Sequence, residues 1–444
     1  MTYTHDQMPQ KKQPDNSSQS ANRSAQSSIK SAQSNGNESS RSLTVDEARA
    51  AILRSISCTK VTESVEISEA AGRTITEDVV ASTSIPPFKN SAMDGYAIRH
   101  QDAAPDQSFK IIGKSLAGHP FNGNVAAGEA VRITTGAAMP AGTDAVVIQE
   151  LVTIERDTFT TDASISAGRY VRYPGDDIKP GQRLLAAKTQ LSAADIGLLA
   201  AQGISHVDVF AMPKVGVFST GDELCNATDT LSDGQIFDSN RASIRSVLKN
   251  AGIDSIDLGI CKDDRQALDA VMQSAAELDF VLSSGGVSVG EADYVKDALQ
   301  ENGDLLFWKV AMKPGKPLVS GRLTGGTYYF GLPGNPVSSM VTCLQFVIPA
   351  IRAFCGADYS APITLQAVCL DELTKEPGRF EFQRGVASVS KKGELVVSTT
   401  GLQDSHVLSS MSLANCFICL DQFANGARSN ELVNIVLFSS IDGL

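Results

Sequence analysis

From residue 212 to about 357 the sequence alternates short apolar runs with stretches of helical period, and this alternation constrains the fold more than any other feature. "KVGVFST" reads as a buried strand and "NRASIRSVLKNAG" as a helix ending on Gly252. "IDSIDLGIC", "DFVLSSGG", "LLFWKVAM" and "TYYFGL" read as further strands, with "DRQALDAVMQSAAEL" and "EADYVKDALQENG" as helices between them. "NPVSSMVTCLQFVIPAIRAF" closes the run as a long helix. Such spacing predicts a doubly wound, mostly parallel sheet covered by helices on both faces. Ligands of such sheets bind beyond the carboxyl ends of the strands.

The rest of the chain divides around this domain. Residues 1–42 are rich in Ser, Gln, Asn and Lys, too polar to offset the entropy of ordering, and predict a disordered tail. Order should begin with a helix whose cap is Thr44 with Glu47 closing a capping box, its face built by Ala48, Ala51, Ile52 and Ile56. Segments 43–75 and 176–211 then form a discontinuous helical domain, into which a β-rich domain, 76–175, is inserted. Residues 358–444 alternate at period two and predict a small β-barrel or sandwich. The fold class is therefore multidomain, α/β plus β.

A net charge of −12 argues against nucleic-acid binding, which uses a basic surface. No apolar run approaches membrane-span length and no signal core is evident, so a cytoplasmic protein is expected. The eight cysteines are scattered through apolar runs, as reduced packed thiols are. Cys416 and Cys419 resemble half a zinc site, but positions three apart on a strand face opposite ways.

Four loops follow the expected parallel strands, and each is chemically loaded. They carry Asp222 and Glu223, then Asp263 and Asp264, then Gly285, Gly286, Ser288, Gly290, Glu291 and Asp293, then Pro333, Asn335 and Pro336. Asn335 is placed to cap a helix with Pro336 at its first position. Any one acidic residue near a helix start can simply complement the dipole. Four such loops on one edge suggest Mg²⁺, a hard ion taking oxygen ligands and bridging to phosphate. The glycines would let backbone N–H groups approach that phosphate, although a structural turn is equally compatible with the glycine run alone. If "FWKVAMKPGKP" is one strand, Lys309, Ala311 and Lys313 share a face, a positive strip flanked by apolar residues and fitted to an anion.

These stretches together resemble the MoeA family of molybdopterin molybdenumtransferases, also found as the E domain of gephyrin. The matching runs are "PPFKNSAMDGYA", "RITTGA", "FSTGDEL", "GQIFDSNR", "SSGGVSVGEADYVK", "WKVAMKPGKP", "GLPGNPVS", "GRFEFQRG" and "SHVLSSMSLAN". The resemblance implies a molybdopterin-binding α/β domain and a reaction in which molybdate is inserted into adenylated molybdopterin, releasing AMP and molybdenum cofactor. It implies catalytic roles for Asp94, Thr135, Asp177, Glu223, Asp263, Asp293, Lys309 and Lys313, with Asp293, Glu223 and Asp263 toward Mg²⁺. Gly285, Gly286, Ser288 and Gly290 would approach the pterin phosphate, and Pro333, Pro336, Arg384 and Ser405 would surround molybdate. A homodimer whose cleft takes residues from both chains is implied, with handover involving molybdopterin adenylyltransferase and apo-molybdoenzymes. An adenylyltransferase would leave the inserted domain and the C-terminal domain without a role. A non-catalytic scaffold of the gephyrin kind need not keep these acidic and basic residues together. Two positions depart from the family pattern: Arg172 is the lone arginine where related chains carry several, and Asp404 stands where glycine is usual. Asp404 should face solvent, since a carboxylate turned inward would repel molybdate.

Overall fold

The computed structural model describes residues 42–104, 107–162, 164–286 and 303–441. The chain forms two compact units. One contains the segment ending at Ile56 together with Pro213–Ala350 and Ala361–Leu444; the other contains Ser57–Met212 and Ile351–Ser360.

In the first unit, β1 (Val215–Thr220), β2 (Ser255–Cys261), β3 (Phe280–Ser284), β4 (Gly303–Lys309), β5 (Pro317–Leu323) and β6 (Tyr328–Leu332) form a sheet of order β2-β1-β3-β6-β5-β4. The first four of these positions run parallel, and β5 is antiparallel to both neighbours. Phe218, Val281 and Tyr329 pack on Leu268 and Met272 of the helix Arg265–Ser274. Strand residues alternate in direction, so Phe280, Leu282 and Phe330 turn to the opposite face. The helices Ser239–Asn250 and Pro336–Phe354 pack against each other, the first against β1 and the second against β6. β5 is an element that the strand–helix alternation did not predict.

Pro336–Phe354 also corrects the expectation that no run is long enough for a membrane. By length and composition it qualifies, but two thirds of it is buried against protein, as in a core helix.

C-terminal to this sheet, β7 (Leu365–Cys369), β8 (Phe380–Val389), β9 (Leu395–Thr399), β10 (Cys416–Leu420) and β11 (Leu432–Leu437) pair in the order β8-β9-β7-β11-β10, and β10 returns to β8. That last pairing closes a five-stranded barrel, which removes the exposed edges. Its interior is filled by Ala367, Val397, Ile418 and Ile435. Cys416 and Cys419 lie on β10, the first buried, the second half-buried, and both are free thiols.

The helix Val45–Ser55 forms with the expected Thr44–Glu47 capping box and buries Val45, Ala48 and Ile52. Its partners correct the expected domain division. Leu43 bridges Val310, and the buried Arg49 donates to the backbone oxygen and side chain of Gln345, so this helix joins the α/β domain rather than segment 176–211.

The second unit holds a six-stranded sheet that includes Gly95–Ile98, Ser108–Ser115, Glu129–Ile133 and Ala145–Ile148, with a core of Tyr96, Phe109, Val147 and Phe159. Around it, Thr62–Glu66 pairs with His206–Phe210, and the helix Ala193–Ala201 covers a core of Ile75, Leu185, Leu199 and Val209. Segment 176–211 is therefore strand and helix mixed, because "RLL" and "HVDVF" find strand partners far away in sequence.

Candidate active site

The carboxyl edge of the parallel strands gathers the first three loaded loops. After β1, Gly221 turns with φ +146, and the Glu223 carboxylate folds back until a Cβ on Gly221 would lie 2.5 Å from it. After β2, the Asp263 N–H donates to Asp222 Oδ1 at 3.3 Å. Burial, then the negative charges of Asp222 and Glu223, push the Asp263 carboxyl above its usual range. Asp264 serves the helix instead, accepting from the Ala267 N–H at 2.8 Å as its cap.

After β3, Gly285 adopts φ +92 with its backbone against Thr220. A side chain there would meet the Thr220 carbonyl oxygen at 2.7 Å and its hydroxyl at 2.8 Å, so only glycine fits. Gly286 follows at φ +68. Ser288, Gly290 and Asp293, together with Glu291, lie outside the described residues.

Asn240 joins this loop to the next. Its amide donates to Ser284 Oγ at 2.8 Å and to the Gly334 carbonyl at 2.6 Å. Sequence reasoning did not single out Asn240; its only signal was membership of the "DSNR" run. Asp238, four residues past Gly234 in the same run, caps the helix and accepts from Ser219 at the end of β1.

The fourth loop meets the barrel. Pro336 opens its helix as expected, but Asn335 makes no side-chain cap. Instead its amide donates to Ser405 Oγ at 2.9 Å, and the Val337 N–H donates to the Ser405 carbonyl at 3.1 Å. Ser405 is thereby seated at the helix start, and Pro333, two residues before Asn335, is buried. Arg384, 1% exposed on β8, donates from Nε to Ser410 Oγ at 2.9 Å and from Nη2 to the Asp404 carbonyl at 3.1 Å. Burial lowers its pKa to about 10, against the raising charges of Asp404 and Glu381, which leaves the guanidinium charged at neutral pH. The Asp404 side chain is exposed, as expected.

The lysine strip is corrected. β4 ends at Lys309, Val310 turns to bridge Leu43, and Met312–Lys313 pairs instead with β8 of the barrel. Lys309 is exposed, and Lys313 is half-exposed with Glu381 at 3.5 Å, so the two ammonium groups do not form one buried face.

In the second unit, Asp94 Oδ1 accepts from the Thr135 N–H at 2.7 Å and its hydroxyl at 3.0 Å. The N–H bond first, then the hydroxyl, hold the Asp94 carboxyl below its usual range, and Arg132 adds to this. Asp177 and Arg172 are exposed. Among the described residues, no hydrogen bond links Asp177 to the Asp94–Thr135 pair. Nor do any three His, Cys, Asp or Glu residues among them group as a metal centre.

Three family models match in succession: the MoeA N-terminal region (domain I and II) over residues 43–203, a probable molybdopterin binding domain over 216–353, and the MoeA C-terminal region (domain IV) over 366–438. A molybdopterin molybdenumtransferase of Haemophilus influenzae is 40% identical over 404 residues, covering 90% of this chain and all of that protein. This chain belongs to the MoeA family. A second MoeA-family relative, a molybdopterin molybdenumtransferase of Nostoc sp., is 36% identical over 381 residues, covering 80% of this chain and 86% of its own. The crystal structure of a molybdopterin biosynthesis moeA protein from Pyrococcus horikoshii superposes with a TM-score of 0.76 at 28% identity, covering 90% of this chain and 100% of that one.

Proposed function

We propose that this MoeA-family chain is a molybdopterin molybdenumtransferase that inserts molybdenum from molybdate into adenylated molybdopterin and releases AMP. The observation that carries the reading is the seating of Ser405 at the start of helix Pro336–Phe354, with the Arg384 guanidinium on the neighbouring Asp404 carbonyl, in an otherwise acidic chain. Ser405 accepts from Asn335, so its own hydroxyl proton is free to donate to an oxyanion. The Arg384 guanidinium supplies a permanent positive charge beside it, and the helix start adds its partial positive end.

The carboxylates on the strand edge suit the other half of the reaction. Burial first, then the charges of Asp222 and Glu223, raises the Asp263 carboxyl, and the hard oxygens of Glu223 and Asp263 fit Mg²⁺. Glu223 and Asp263 would hold it, with Asp293 and substrate phosphate oxygens completing the set. When bound, the ion neutralises charge on the phosphates as the phosphoanhydride breaks. The Gly285 N–H is held by the Leu332 carbonyl at 3.1 Å, so Gly285 positions the loop by its close approach to Thr220 and the Gly286 N–H would be offered to the pterin phosphate. Lys313 and Lys309 hold phosphate or molybdate charge. Asp94, fixed as an anion by Thr135, contributes from the inserted domain and Asp177 from the return segment after it, in a homodimer whose cleft draws on both chains. The product passes to apo-molybdoenzymes in the cytoplasm, a compartment that suits eight free cysteines.

The test supplies the purified chain with adenylated molybdopterin, Mg²⁺ and molybdate, then adds a cofactor-free molybdoenzyme. Recovery of that enzyme's activity, dependent on molybdate, is the expected result. No recovery above a control lacking the chain contradicts the assignment.

A further inference from the structure

Glu381 is a carboxylate in an unusual place. It sits on β8 with 3% of its surface exposed, opposite Lys313 where Met312–Lys313 pairs with the barrel. Lys313 Nζ approaches Glu381 Oε1 at 3.5 Å, and Gln383 Nε2 donates to Oε2 at 3.0 Å. The charge of Glu381 also acts on the nearby buried Lys375, but that ammonium is held by backbone carbonyls rather than by the carboxylate. It donates to the carbonyls of Glu376, Gln422 and Ala424 at 3.2, 3.0 and 3.1 Å, which uses all three of its donors. Among the described residues, Glu381 therefore has one ion-pair partner, Lys313.

The pair is asymmetric. The Lys313 side chain is 41% exposed and the Glu381 side chain 4%, so the carboxylate stands behind the lysine as seen from solvent. At 3.5 Å the contact is longer than a strong charge-assisted hydrogen bond, and the ammonium keeps donors for a second anion. The charge of Glu381 also favours the charged form of Arg384, three residues on along the same strand.

We propose that Glu381 is an internal counter-ion of the oxyanion pocket, holding the Lys313 ammonium until an incoming oxyanion competes for it and thereby limiting how tightly the oxyanion is held. It is a positioning residue, acting through Lys313 and not on the substrate. The inference rests on the reading of Lys313 and Arg384 as oxyanion-holding groups. A buried negative charge against Lys313 lowers the field that ammonium presents, so the pocket binds molybdate reversibly.

Calorimetric titration with molybdate alone, on the full chain, tests this. Glu381→Gln keeps an acceptor for Gln383 and removes the charge; it should bind molybdate about ten-fold tighter than the unaltered chain, one charge's effect across a partly solvated site. Glu381→Asp keeps the charge but lengthens the pair, and should gain roughly two- to three-fold on the same grounds, which preserves the test if the glutamine variant does not fold. In turnover, Glu381→Gln should show a lower KM for molybdate with a lower kcat, a split that loss of barrel stability would not produce. Unaltered or weaker molybdate binding by the folded variants overturns the counter-ion role while leaving the oxyanion pocket standing. Absence of molybdate binding in the unaltered chain overturns the pocket reading and this inference with it.

Discussion

Gly285→Ala separates two contributions that the structure makes calculable. Gly285 and Gly252 both have positive φ, +92 and +74, but a Cβ at Gly252 meets nothing within 4 Å. Gly252→Ala therefore carries only the left-handed backbone penalty, about 1–2 kcal/mol. At Gly285 the added methyl would also stand 2.7 Å from the Thr220 carbonyl oxygen and 2.8 Å from its hydroxyl, with backbone on one side that cannot swing away. Overpacking of this kind costs about 1–3 kcal/mol more, so the total is about 2–5 kcal/mol. Thermal unfolding of the two variants side by side measures the difference, at roughly 2–4 °C per kcal/mol for a unit of this size. Turnover measures its functional side: Gly285→Ala should lose activity by roughly 100-fold or more through displacement of the phosphate-facing backbone, while Gly252→Ala keeps it. Equal melting points, or full activity in Gly285→Ala, would refute the claim that close approach to Thr220 fixes this loop.

Asp263→Asn should stabilise the chain at pH 7. Below the usual carboxylate range Asp263 is protonated in both folded and unfolded states and contributes nothing. As pH rises from the ordinary value to the raised folded one, the unfolded chain loses its proton first and the folded state loses stability. The variant should therefore melt higher than the parent at pH 7, equal it near pH 3, and lose Mg²⁺-dependent turnover; a lower melting point at pH 7 sinks the argument. Thr135→Val deletes the hydroxyl donor to Asp94 but keeps the N–H donor. The Asp94 pKa, followed by carboxyl NMR, should rise toward the ordinary value, and the acid limb of the rate profile should move to higher pH with it. An unmoved titration would show that the backbone bond alone holds Asp94.

The parts of this fold that were legible in sequence are those governed by local period. The four parallel strands, the helices Ser239–Asn250, Arg265–Ser274 and Pro336–Phe354 and the Thr44–Glu47 cap follow from patterns a few residues long, and the loaded loops inherit their place from the strand ends. The expected helix "EADYVKDALQENG" lies, up to its final glycine, outside the described residues. What was not legible depends on distant partners. The helix Val45–Ser55 was readable, but its attachment runs through Leu43 to Val310 and Arg49 to Gln345, nearly three hundred residues on. The lysine strip failed for the same reason: a strand period was assumed through Val310, where Leu43 pairs and ends β4. β5 was missed because "PLVSGRL" has small and polar residues where a strand pattern wants apolar ones, and its pairing with β4 and β6 makes up the difference. In the site, the acidic and glycine loops are visible in sequence, and Asn335 is visible as an expected helix cap, whereas its bond to Ser405 and the bridging of Asn240 depend on distant partners.

The most direct measurement of the central claim is the stoichiometry of AMP released to molybdenum incorporated when the purified chain is given adenylated molybdopterin, Mg²⁺ and molybdate. The structure-based account predicts one AMP per molybdenum, release stimulated by molybdate, and neither product from Arg384→Ala. AMP release that ignores molybdate, or molybdenum incorporation that survives Arg384→Ala unaltered, would contradict it.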